Sequence, residues 1–223
     1  MSELQNRLDR LTLRLDRMGM RVEQAVLDAL DAVANRQVEA GLEIDSQDRV
    51  IDREEVEIEQ ECIRLLALYQ PAAIDLRTIC TIIKVNSDLE RIADLAAGIG
   101  RRVKHVAEGK LDMFAHEGFR ALVDDTRETL SLTVRILATT DREIAGRVIR
   151  LDERIDEDYR AFVRRVLDSE SNRAGGAETA MTMINLAKAM ERIGDHCTNI
   201  AEDVIFLRTG DVVRHPEAFG TPK

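Results

Sequence analysis

Leu4, Leu8, Leu11, Leu15, Met18, Val22, Ala25, Ala29 and Ala32 follow one another at alternating spacings of four and three residues. Only a long helix that buries one continuous stripe accounts for such a seam. A second seam follows with the same alternation: Ile44, Asp48, Ile51, Glu55, Ile58, Cys62, Leu65 and Tyr69. Gly41 is read as the stop between the two helices, and Gln70-Pro71 ends the second, because a residue before proline is pushed out of the helical region. A third helix is expected from about Ala72 to about Val106, with Gly109-Lys110 as the break. Two more are expected near 112–139 and 145–170, and a last one after residues 172–176, running to about Arg208. Pro71 is the sole proline in the body of the chain and aromatics are only 3%, so sheets and barrels are disfavoured. The expected fold is all-α: two tandem, similar three-helix bundles built from six long antiparallel helices. Residues 1–109 form the first repeat, 110–210 the second and 211–223 a tail.

The two sets of three helices are an internal repeat. A shift of 104 positions carries Ile44, Asp48, Ile51, Asp52 and Ile58 onto Val148, Asp152, Ile155, Asp156 and Phe162. A shift of 101 carries Glu90, Arg91, Ile92, Ala93 and Asp94 onto Glu191, Arg192, Ile193, Gly194 and Asp195.

Acidic pairs four apart share a helix face, yet roughly eight arise by chance in a chain this acidic, so one alone carries nothing. Three features lift these above that background. Asp48 and Asp152 occupy seam positions that call for apolar residues, the pairs recur in register, and they stand at matched heights. Each lies roughly 19–22 residues from the turn joining its two helices, so antiparallel packing brings four carboxylates of each half to one level. Like charges within about 4 Å repel by roughly 1–4 kcal/mol, so something positive must lie among them. A hard multivalent cation and an arginine network both meet that need. Arg77, Arg91, Arg154 and Arg192 are near in sequence, and the all-oxygen set suits Fe, Mn, Mg or Ca.

A net charge of −10 with so few aromatics argues against nucleic-acid binding. The start shows no secretory leader, and no apolar run approaches the ~18 residues of a membrane span. Cys62, Cys80 and Cys197 form no CxxC pair and read as reduced thiols, Cys62 as a small core residue, which points to the cytoplasm. His196 is rotated away from the Glu191/Asp195 stripe and reads as structural. Arg101-Arg102-Val103-Lys104-His105 is read as a cluster compensating the dipole at a helix C-terminus. No nucleophile arrangement and no phosphate-cradling glycine loop is present. A ferritin-like di-metal enzyme requires Glu-x-x-His, and the residues three before His105, His116, His196 and His215 are Arg102, Met113, Ile193 and Val212. That enzyme and a metal-free helical scaffold stand as the alternatives to a non-enzymatic adaptor.

Several stretches resemble the PhoU family of phosphate-transport accessory proteins. They are Met18 to Gln24, Cys62 to Leu66, Gln70-Pro71-Ala72-Ala73-Ile74-Asp75-Leu76-Arg77, Ile82-Ile83-Lys84, Asp88-Leu89-Glu90-Arg91-Ile92-Ala93-Asp94, and Glu191-Arg192-Ile193-Gly194-Asp195 on through Asn199-Ile200-Ala201-Glu202. The resemblance implies a homodimer of paired three-helix bundles. It implies repression of the phosphate-starvation response, relaying the state of an ABC phosphate importer to a membrane sensor histidine kinase. The expected place is the cytoplasm, peripheral at the membrane through those partners. It also implies multinuclear iron or zinc clusters at Asp48, Asp52, Glu90 and Asp94 in one half, and at Asp152, Asp156, Glu191, Asp195 and Glu202 in the other. The first half departs from the family pattern: Gly98 and Arg101 stand where the second half has Asn199 and Glu202, which weakens the expected first cluster.

Overall fold

The computed structural model describes residues 2–109, 111–170 and 176–210. Six α-helices make up the fold: α1 (Glu3–Asn35), α2 (Val38–Tyr69), α3 (Ala73–Glu108), α4 (Phe119–Thr139), α5 (Arg142–Glu170) and α6 (Gly176–Thr209). A short 3-10 turn, Met113–Ala115, precedes α4, and no strand occurs among the described residues. The first three helices pack on one another, as do the last three; α3 against α6 and α1 against α4 join the two bundles. One continuous apolar core runs through both.

The first seam is buried from Leu8 to Ala32, with Leu4 packed half-buried at its start. In the second, Ile44, Ile51, Ile58, Cys62 and Leu65 are buried, whereas Asp48, Glu55 and Tyr69 are half-buried. The interruptions fall at the carboxylates, so the stripe continues around them instead of ending. Thiol burial pushes Cys62 up to about 12, consistent with a core residue.

Gly41 does not stop α1. That helix ends at Asn35 because Arg36 turns left-handed (φ 55°) and the Gln37 amide bonds back to the Ala32 carbonyl. Gly41 instead lies within α2, facing Gly100 of α3. A Cβ on Gly41 would lie 2.5 Å from the Gly100 carbonyl oxygen, and one on Gly100 as close to that of Gly41. The glycine permits two backbones to touch, a need that local sequence does not display.

The helix expected near 112–139 is also shorter than its pattern. The Asp112 side chain accepts from the Ala115 amide and closes a separate turn, and Gly118 (φ 90°) redirects the chain into Phe119. Phe119 then stacks edge-on against Phe114 at 5.4 Å and packs on Phe162 at 5.7 Å. The expected break at Gly109 is present; Lys110, the turn at residues 171–175 and the tail at 211–223 lie outside the described residues.

Gly41→Ala and Gly100→Ala should each force α2 from α3 at a cost of about 2–3 kcal/mol, lowering Tm by roughly 4–12 °C. Gly146→Ala, whose Cβ meets only the Arg150 side chain at 3.5 Å, should raise or leave Tm unchanged. Thermal melts followed by circular dichroism read the difference.

Candidate functional site

Each acidic pair has one member turned in and one turned out. Asp48, Glu90 and Asp152 are half-buried and Glu191 is 9% exposed, whereas Asp52 and Asp195 face solvent and Asp94 and Asp156 lie at the rim. The pairs of one half do meet across their helices. Burial pushes the Asp48 carboxyl up to about 6, with added repulsion from Asp52, Asp94 and Asp45. Burial likewise lifts Asp152 to about 6, offset in part by the Thr198 hydroxyl and reinforced by Asp195, Asp156 and Glu191. Glu90 and Asp195 rise for the same first reason, desolvation, then through Asp94 and Glu191 respectively.

Cations answer part of this charge. Arg91 bonds Asp94 at 3.2 Å and Glu90 at 3.3 Å, Lys188 pairs with Glu191, and Arg160 meets Asp156 at 2.5 Å. Arg154 pairs with buried Asp125 at 2.9 Å instead of with the clusters, and Arg77 makes no ion pair with them among the described residues. Asp48 and Asp152, the deepest seam acids, have no ion pair among the described residues. One oxygen of each is buried without a hydrogen-bond partner, as is Glu191 Oε2. Such oxygens are costly unless protonated or bound to a cation.

Gly194 shapes the second cluster. A Cβ there would lie 2.5 Å from the orphaned Asp152 Oδ1 and 3.3 Å from Ile155 Cδ1. The glycine of Glu-Arg-Ile-Gly-Asp thus leaves a slot for a carboxylate oxygen of the facing helix. The donor set is all oxygen, partly dehydrated and in excess of its cations, and in chemistry it fits a hard metal ion. No three His, Cys, Asp or Glu side chains among the described residues converge on a single point.

Sequence reasoning missed the polar seam joining the two bundles. Asp88 of α3 bonds His196 Nδ1 at 2.8 Å and accepts from the Asn199 amide at 3.3 Å, both on α6. Lys84 meets the buried Asp203 at 3.1 Å across the same interface. His196 is therefore a structural histidine, as its rotation off the acidic stripe indicated. Glu202 lines one cleft with Asp152, Asp195 and His196. The repeat held a signal for this seam: the charged Asp88 and Lys84 map onto the uncharged Ala189 and Asn185. The dipole reading of Arg101 and Arg102 fails, because α3 continues to Glu108 and only His105 lies in its last turn. Arg101 instead pairs with Asp45 of α2.

A folded chain that holds protons on Asp48 and Asp152 more tightly than the unfolded chain loses stability as pH rises from about 4 to about 6. In chelator-treated protein, Asp48→Asn and Asp152→Asn should each add about 1 kcal/mol at pH 7 once solvent screening is allowed for. The gain should vanish below pH 4 in urea titrations across pH.

The PhoU domain family model matches residues 15–103 and again 119–204, one match per bundle. The phosphate-specific transport system accessory protein PhoU of Serratia marcescens is 32% identical over 214 residues, covering 93% of this chain and 85% of the relative. The homologue from Pseudomonas putida is 33% identical over 208 residues, covering 93% and 81%. The crystal structure of PhoU from Pseudomonas aeruginosa superposes with a TM-score of 0.88 at 30% identity, over 94% of this chain and all of that one. The PhoU regulatory protein of Streptococcus pneumoniae gives a TM-score of 0.86 at 27% identity, covering 95% of this chain and 99% of that one. With both bundles matched and the acidic pairs set in the family's helices, this chain belongs to the PhoU family.

Proposed function

We propose that this chain regulates phosphate uptake and the phosphate-starvation response as a metal-binding helical adaptor, relaying the state of an ABC phosphate importer to a sensor histidine kinase. The observation that carries the reading is a PhoU domain in each half whose facing helices bury unpartnered carboxylate oxygens at matching places. Relatives named as accessory and regulatory proteins of phosphate-specific transport support the same role, and no described helix is long and apolar enough to cross a membrane.

On this reading Asp152, Asp156, Glu191, Asp195 and Glu202 hold metal in the second half, and Asp48, Asp52, Glu90 and Asp94 in the first. The bound cluster, of iron or zinc, supplies positive charge and no redox turnover. Asp48, Asp152 and Glu191 contribute the oxygens that lack any other partner, and Gly194 keeps the slot for one of them open. The first half is the weaker site, since Arg101 stands where the second half has Glu202. Neutralising the inward carboxylates ties α2 to α3 and α5 to α6, so that partner binding is transmitted as a change in bundle packing. The partners are the importer ATPase and the sensor kinase at the cytoplasmic face of the membrane, and the working form is a homodimer.

A metal-free scaffold is the second reading, favoured by the Arg91 and Lys188 pairs that already neutralise Glu90, Asp94 and Glu191. Elemental analysis of protein purified without added metal separates the two. Bound iron or zinc that disappears in Glu191→Ala with Asp195→Ala is expected; metal-free protein, or metal retained by the double variant, rejects the assignment. For the regulatory role, an importer ATPase or sensor kinase should co-purify from phosphate-replete cells, and loss of the chain should switch on a phosphate-starvation reporter. A silent reporter would overturn that role.

A further inference from the structure

Clefts border the α3–α6 contact in both halves, and they differ in charge. On one side Asp152, Asp195 and Glu202 outnumber Arg192 in a cleft between α5 and α6, and Glu55, Glu59 and Asp88 outnumber Lys84 in the cleft next to it, with Asn199 common to both. On the other, a cleft of about 430 Å³ gathers Arg91, Arg101 and Arg102 from α3 with Lys188 and Arg192 from α6, against a single lining carboxylate, Asp94. The inversion occurs at equivalent positions: shifting Arg101 and Arg102 by 101 gives Glu202 and Asp203. In a chain of net charge −10, five cations around one concavity oppose the overall balance.

The cations are not fully consumed. Arg91 serves Glu90 and Asp94, Arg101 meets Asp45, and Lys188 meets Glu191. Arg102 donates to the carbonyl of Gly98 in its own helix at 2.6 Å, and Arg192 has no ion pair or hydrogen bond among the described residues. Gly98 forms the floor beneath the first two arginines: a Cβ there would lie 3.3 Å from Arg102 Nη1 and 3.7 Å from Arg101 Nη2. The equivalent residue in the second half is Asn199, whose side chain donates to Asp88. With Gly98 on α3 and Ala189 on α6, the basic cleft has a small-residue floor and charged walls.

We propose that this cleft binds linked phosphate groups, a di- or polyphosphate chain, either free or carried on a small molecule. Four of its five cations are arginines, whose planar forks match phosphate oxygens two at a time. They stand on two helices around a volume that would hold more than ten waters at ~30 Å³ each, far more than one tetrahedral ion fills. Phosphates joined in a chain reach both walls and bring the density of charge that the cluster lacks. The floor offers no aromatic face for a base, so recognition rests on the phosphates. This inference goes beyond the regulatory role and stands on the cleft alone.

Calorimetric titration of the purified full chain in metal-free, low-salt buffer tests it, with sodium tripolyphosphate as the probe, ATP in a second arm and phosphatidylglycerol vesicles in a third. One saturable site per chain is expected, weakening steeply as salt rises. Arg101→Glu with Arg102→Asp, the residues at the equivalent positions of the second half, should weaken it at least tenfold. Arg192→Gln, an exposed change that leaves the fold intact, should weaken it about three- to tenfold and keeps the test decisive if the double variant does not fold. Tighter binding of ATP assigns a nucleoside-carried chain, and tighter binding of tripolyphosphate a free one. Variants that bind as the wild type does, absence of a saturable site, or binding to the vesicles alone would overturn the proposal. The regulatory role fails on different readouts, the reporter and co-purification, so the two failures are distinguishable.

Discussion

The contact between α3 and α6 is the constraint on which the rest of the structure depends. Each of these helices is buried on several sides: α3 packs on α1, α2 and α6, and α6 on α3, α4 and α5. Small residues make this possible. Ala93, Ala96, Ala97, Gly98 and Gly100 on α3, and Ala187, Ala189, Gly194 and Ala201 on α6, let backbones approach where larger side chains would hold them apart. The polar pairs Asp88–His196 and Lys84–Asp203 then fix the relative register of two surfaces that apolar packing alone would let slide.

Duplication gives this arrangement two copies of every surface, and the copies have diverged in charge. Asp48 and Asp152 keep the same buried place in both halves, each with an oxygen that no protein group satisfies. Beside them, Arg101 and Arg102 oppose Glu202 and Asp203 at equivalent positions. A buried acid repeated in both halves, next to charges that differ between them, leaves acidic clefts on one side and a basic one on the other. Arg101, Arg102 and Glu202 keep contact with solvent, and the buried Asp203 is answered by Lys84, whereas a charge reversal at Asp48 or Asp152 would put a long cation into the core.

The sequence carried the fold almost completely, because a heptad seam states helix, face and length at once. Leu8 through Ala32 are buried as the spacing required, and the carboxylates placed level by antiparallel counting do feel one another across α2–α3 and α5–α6. Local signals misled where a residue served a distant neighbour. Gly41 has the look of a helix stop, yet it exists to admit the Gly100 carbonyl. Arg101 and Arg102 look like dipole compensation, yet α3 outlasts them and they border a cleft formed with α6.

Periodicity and repetition in the chain by themselves determined six helices, their pairing by halves, and the eight acids, four to each level, since all of these follow from spacing along one axis. Only the tertiary structure decided that Glu90 and Glu191 are the inward members on α3 and α6, that Asp48 and Asp152 go without an ion pair among the described residues, and that clefts of differing charge flank the α3–α6 contact. Those outcomes depend on the rotation and approach of one helix against another. They are set by side chains distant in sequence, from Asp48 with Asp94 to Asp88 with His196, and no local pattern encodes such a contact.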